Sequence, residues 1–329
     1  MSNIPSPTPP IRRIITGHDK DTKAIVTIDD FASNHKGREG VINSLIWSAD
    51  EMPIEIWSDE DYGARKVDRQ PPPHGTNICY IDFLPGNPRE MHRTDTLDYV
   101  MCLSGEIDME LDDGAVTHLK AGDLMVQQAT SHAWINRGTE TCRLAFVMLD
   151  AKKQPGAGDV SPPRMKPHDG TGDLPDPPLR RVVTRNNEDG KSVVAMEGTA
   201  SNHKWSGRGM VATLIWSTDE CPAEVWTDED YGARALGTQP PRNGSRFTIN
   251  DYPAGMPGRM HRTDTVDIIV VLDGEIDMEL DDGTETHLNK GDIMIQQGTN
   301  HAWWNRSDKT CRLAIILIDA KEGGLAITA

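Results

Sequence analysis

Long apolar runs are missing from this chain of 329 residues, and none approaches the ~20 residues that a membrane-spanning helix needs. The first stretch, MSNIPSPTPPIRR, is polar and proline-rich with no apolar segment, which argues against a secretory signal. Cysteines number only five (Cys79, Cys102, Cys142, Cys221 and Cys311), with no CxxC pair and no zinc-finger spacing. An odd, scattered set is no disulfide framework, so a reducing, cytoplasmic setting is expected. Cys142 and Cys311 each open an apolar run and are expected to be buried packing residues. Positive charge is also short: Lys+Arg 34 against Asp+Glu 51 leaves a net charge of -17, which repels nucleic-acid phosphates and anionic membrane surfaces. No G-x-S-x-G, Walker-type or dinucleotide-binding glycine pattern precedes a helix, so nucleophile-elbow, phosphate-loop and Rossmann chemistry are excluded. Sustained helical periodicity is absent too.

What the chain does have, it has twice. The stretch 86–136 returns at 255–305, displaced by 169 positions. Met91-His92-Arg93-Thr94-Asp95-Thr96 becomes Met260-His261-Arg262-Thr263-Asp264-Thr265, and His132-Ala133-Trp134 becomes His301-Ala302-Trp303. Earlier landmarks repeat as well: Ser33-Asn34-His35-Lys36 returns as Ser201-Asn202-His203-Lys204. A period of this length means a duplicated domain and not a solenoid.

Short β-branched runs separated by turn signals predict strands at 78–83, 99–103, 107–111, 116–119, 124–127 and 143–149. Ile107 to Leu111 alternates apolar and polar residues, and Asp112-Asp113-Gly114 supplies a hairpin turn. The segment 151–178 carries seven prolines and four glycines and reads as a linker. The expected organisation is a flexible arm at 1–10, a first domain at 11–150, the linker, a second domain at 179–320 and a tail at 321–329. The fold class is all-β.

Two spacings carry the candidate chemistry. One is Gly86-x5-His92-x-Thr94-x3-Asp98-x6-Gly105; the other is Gly122-x9-His132-x3-Asn136, and both recur in the second half. These resemble the two signature motifs of the cupin superfamily, and the whole chain resembles a bicupin. The resemblance implies two tandem cupin barrels of the double-stranded β-helix, or jelly-roll, type. It also implies that His92, Asp98 and His132, with His261, Asp267 and His301, stand at metal-ligand positions. Thr94 and Thr263 replace a second histidine of that pattern, and Asp98 and Asp267 replace a glutamate. Two imidazoles and one carboxylate suit a divalent ion with open positions, so one iron, manganese, nickel or zinc per competent domain is expected, or none. Arg93, Thr94, Gln128, Arg262, Thr263 and Gln297 are the candidates for positioning a ligand, with ion pairs to Asp95 and Asp264 the competing reading for the arginines.

The resemblance implies a small-molecule enzyme: a metal-dependent dioxygenase, decarboxylase or isomerase acting on an organic acid or an aromatic or polyketide-like compound. Two alternatives stay open. One is metal-free acid–base catalysis (dehydratase, epimerase or cyclase), and the other is a non-catalytic binding barrel. The expected partners are a small molecule and a second copy of the chain in a homodimer, with neither nucleic acid nor membrane.

Overall fold

The computed structural model describes residues 6–58, 60–153 and 175–321; residues 1–5 of the arm, most of the linker and the tail beyond 321 lie outside them. The described residues form twenty-two strands and two single-turn 3₁₀ segments, with no α-helix. The cause is visible locally. Glu106–Leu111 alternates exposed or half-buried Glu106, Asp108 and Glu110 with buried Ile107, Met109 and Leu111. Only one face of such a strand is apolar, so it must be laid against a second layer. Gly114 closes the hairpin that follows, at φ 86°.

Each barrel packs an eight-stranded sheet against a three-stranded one. In the first barrel the large sheet runs Ser192–Thr199, Arg180–Asn186, Leu124–Gln128, Thr96–Ser104, Cys142–Asp150, Thr76–Phe83, Val41–Ala49 and His35–Arg38. The small sheet is His132–Ile135, Glu106–Leu111 and Val116–Lys120. The apolar interior (Val100, Met109, Met125, Trp134 and Phe146 among others) lies between them.

The two leading strands of that large sheet come from the other repeat. Arg180–Asn186 pairs in parallel with Leu124–Gln128, with Val182 opposite Met125 and Thr184 opposite Gln127. Reciprocally, Arg12–His18 pairs in parallel with Ile293–Gln297, with Ile14 opposite Met294. Each repeat thus lends its first hairpin to its twin. The segments 11–150 and 179–320 are units of sequence, and the barrels draw on both. The described end of the N-terminal arm is also tied down, since the Pro9 carbonyl accepts a hydrogen bond from Arg143 at 2.8 Å.

The outer faces of the two large sheets share one hydrophobic layer that includes Trp47, Tyr99, Trp216 and Phe247. Tyr99 stacks at 5.1 Å from Phe247, and its hydroxyl lies 2.8 Å from that of Ser245. Burying each large side chain there contributes ~1.5–3 kcal/mol, so the barrels are joined by a continuous core.

Candidate active site

The inner face of the first large sheet carries its polar residues in one row. Register sets Asn77 opposite Met148, Met148 opposite Asp98, and Asp98 opposite Gln127. Directly opposed residues share a face, so all four side chains point inward. Asp98 Oδ1, Asn77 Oδ1 and both polar atoms of the Gln127 amide are buried with no hydrogen-bond partner in the protein. Each such group costs on the order of 1–3 kcal/mol. Several on one inner face mark a surface suited to a polar ligand.

A cavity of about 380 Å³ opens against this face, lined by His92, Thr94, Asp98, His132, Trp134 and Met148 among others. Its two imidazoles are placed by the backbone. His92 and His132 exchange N–H···O bonds of 2.9 and 2.8 Å as a bridge outside the main ladders. That brings their rings to 4.4 Å between centroids, tilted by 57°. Each Nδ1 faces a carbonyl, Glu90 O at 3.1 Å and Thr130 O at 2.9 Å. A carbonyl can only accept, so Nδ1 carries the proton and Nε2 keeps its lone pair. Burial, then the neighbouring His92 ring, pushes His132 down to about 3, and burial lowers His92 as well. Both rings are therefore neutral at physiological pH. Asp98 moves the other way. Burial pushes its carboxyl up to about 7 against the pull of the Thr96 hydroxyl.

The loop that presents His132 is held by the borrowed hairpin. Ala129 sits at φ 48°, and its carbonyl accepts from Asn186 Nδ2 at 3.0 Å. Thr130 and Thr184 hydroxyls meet at 3.0 Å, and Ser131 N–H donates to Ser192 Oγ at 2.7 Å. Three residues of the second repeat thereby position a histidine of the first. Ser192→Ala should raise the amide exchange rate of Ser131 by about five- to tenfold, for a bond worth ~1 kcal/mol. Hydrogen exchange at that amide checks this, and unchanged protection would show the loop to be self-supporting.

The cupin domain family matches residues 80–148 and 249–318. The cupin-domain-containing oxidoreductase virC of Hypocrea virens is 36% identical over 157 residues, which span 44% of this chain and 80% of that protein. The chain is a cupin. A phomopsin biosynthesis cluster protein of Diaporthe leptostromiformis is 46% identical over 114 residues, 33% of this chain and 60% of its own. Among solved structures, AerE from Microcystis aeruginosa aligns over 94% of this chain and 97% of its own, at 14% identity and a TM-score of 0.47.

Cupins of this type raise the question of a metal. The free Nε2 lone pairs of His92 and His132 suit a divalent cation, and the orphaned Asp98 Oδ1 is a donor on the same cavity. Among the described residues, however, no three His, Cys, Asp or Glu side chains are gathered closely enough to enclose an ion. The imidazole pair fits; the carboxylate stands apart from it. The second barrel of this cupin repeats the pair, with His261 and His301 rings 4.4 Å apart. Burial and then His261 push His301 down to about 3, and burial raises Asp267 to about 7. Elsewhere on the sheet the two copies differ. Lys36 and Asn43 line the first cavity, whereas their counterparts Lys204 and Ala212 line, with Arg246, a separate space of about 10 Å³ that neither His261 nor His301 borders. That is scarcely one water.

Two pairs of expected ligand-positioning residues stand elsewhere: Arg93 and Gln128, with their counterparts Arg262 and Gln297, are not among the residues lining the first cavity. Arg93 lies between His92 and Thr94, so alternation turns it away from the cavity, where it meets Asp95 at 3.3 Å and the Trp226 ring at 5.3 Å. Arg262 likewise pairs with Asp264 at 3.0 Å and donates to Gly298 O at 2.6 Å. Gln128 and Gln297 point into the layer between the sheets and donate to Thr184 O and Thr16 O, at 3.3 and 2.9 Å. Their neighbours Gln127 and Gln296 take the inner face instead. Thr94 lines the cavity as expected, its hydroxyl 2.8 Å from that of Thr96, and Thr263 meets Thr265 at 2.6 Å in the same way. Arg38 and Arg69, which also line the cavity, escape a reading built on repeated residues because the second copy has no counterpart for Arg69.

Proposed function

We propose that the first barrel is the reaction chamber of a small-molecule enzyme of biosynthetic, oxidoreductase-like type, and that His92 and His132 hold a divalent metal there. The observation that carries this is a pair of neutral imidazoles with free Nε2 atoms, opening with Asp98 and Thr94 onto one cavity of about 380 Å³. The names of similar proteins, cupin-domain-containing oxidoreductases and biosynthesis-cluster proteins, support the class of reaction.

The roles of the chain's own residues follow from placement. Phe83, Trp134 and Phe146 wall the cavity with apolar surface and keep water from the body of a ligand. Thr94, whose hydroxyl borders the cavity, can orient it by hydrogen bonding. Asp98, at about 7, can give or take a proton near neutrality, as a general acid or base must. A bound ion would supply Lewis acidity toward a substrate oxygen. A metal-free acid–base reading is favoured by one observation: the carboxylate is not gathered with the imidazoles.

The deciding experiment measures metal content and turnover on the untagged protein beside His92→Ala and His261→Ala. The expected result is about one ion per first barrel, lost in His92→Ala together with a hundredfold or greater fall in kcat, while His261→Ala keeps most activity. Full turnover after exhaustive chelation would overturn the metal role and leave the acid–base chemistry of Asp98. Loss of activity only in His261→Ala would place the chamber in the other barrel.

A further inference from the structure

We infer that the mouth of the first cavity binds the carboxylate of an aryl or cyclic organic acid through Arg69 and Arg38, with the ring lodged among the apolar walls facing the imidazoles. This rests on the first barrel being the working chamber.

Cations gather at this mouth although the whole molecule is acidic, with Glu90 set between two of them. The chain carries -17, yet Lys36, Arg38 and Arg69 line the cavity, against Asp68 and the deeper Asp98. Attracting an anion into a protein that repels anions needs such a local field. The two guanidiniums converge on one carboxylate already. Arg38 Nε lies 3.0 Å from Glu90 Oε2, and Arg69 lies 3.4 Å from Glu90 Oε1. All three side chains are a third to a half exposed, so this exchangeable surface cluster contributes little to stability. A guanidinium has five N–H donors, so each arginine can engage a second carboxylate while holding Glu90.

Glu90 ties this cluster to the buried site, since its carbonyl accepts the Nδ1 proton of His92. An acid bound at the mouth is thereby set against the segment that orients one imidazole. Inward of the arginines, Ile81, Phe83, Phe146 and Met148 supply apolar surface. A cavity of ~150 Å³ is enough for a benzene ring, so about 380 Å³ leaves room for a ring with a carboxylate-bearing arm. The second repeat lacks the cluster: Thr238 stands at the position of Arg69, and Arg259 at that of Glu90. Two copies otherwise so alike differ at the residues that would choose an anion.

The test uses full-length protein and three acid–amide pairs: benzoate, 3-phenylpropanoate and cinnamate, each beside its primary amide. Calorimetric titration at low and moderate salt reads the affinities. At least one acid should bind tenfold or more tightly than its amide, and more weakly as salt rises. Arg69→Gln should cut that acid's affinity tenfold or more and leave the amide unchanged, whereas Arg259→Gln should change neither. Equal binding of every acid and its amide, no binding by any acid, or an Arg69→Gln variant indistinguishable from wild type would overturn the inference. Because the readout is binding, it stands apart from the turnover measurements on His92→Ala.

Discussion

Asp98→Asn should stabilise the metal-free protein by about 2–4 kcal/mol at pH 8 and change it by less than ~1 kcal/mol at pH 4. The Asp98 carboxyl is raised to about 7 in the fold, from an ordinary 3.8, because burial disfavours its charge. A raised folded value means that stability is complete below 3.8, where both states are protonated. It drains away as the pH climbs toward 7, because the unfolded chain ionises first. Above that range the wild type carries the full cost of a buried charge, which asparagine never acquires. Asp267, also raised to about 7, supplies a matched second case. Denaturant midpoints with chelator at both pH values decide the matter, and an equal shift at pH 4 and pH 8 would rule out ionisation as the cause. Adding a divalent metal at pH 8 extends the test. Wild type should gain more than Asp98→Asn only if the carboxylate reaches a bound cation.

The second large effect concerns the exchanged hairpins. A protease site inserted between 154 and 174 should allow the chain to be cut without the halves parting. Each half would hold two strands of its twin's sheet, including fully buried Ile14 in one direction and Val182 and Val183 in the other. A few such side chains contribute several kcal/mol on top of the parallel ladders. Size-exclusion chromatography of the cut protein should give one peak at the mass of the intact chain. Either half expressed alone should not persist as a soluble monomer, because it exposes the unpaired edge of Leu124–Gln128 or of Ile293–Gln297 and must exchange hairpins with a second copy or aggregate. Two soluble, monomeric halves would refute the exchange.

Much of this arrangement is written plainly in the residues. The all-β class follows from runs such as Glu106–Leu111, whose alternation is a direct image of one buried face. His92 and His132 stand out because their motifs recur, and the fold brings their rings together. The failures have physical reasons. Leu124–Gln128 is buried on both faces, so alternation no longer distinguishes Gln127 from its neighbour, and a one-residue error reverses the face. Arg93 left two readings open, and the structure places it beside Asp95. The hairpin exchange leaves no mark, since Ile11 to Ile15 and Leu179 to Val183 are chemically interchangeable and either could complete either sheet. Arg38 and Arg69 lie where the copies diverge, so attention to shared residues passes over them.

Duplicated genes ordinarily decay, because one copy is redundant and drifts until it is lost. The hairpin exchange removes that freedom. Deleting either copy would strip the survivor of its borrowed strands, unless two survivors exchanged hairpins with each other. The second copy thus serves the first through the strands it lends, Arg180–Asn186 and Ser192–Thr199, and through the Asn186 and Ser192 contacts that steady the His132 loop. In its own interior Arg246 stands where the first copy keeps Asn77.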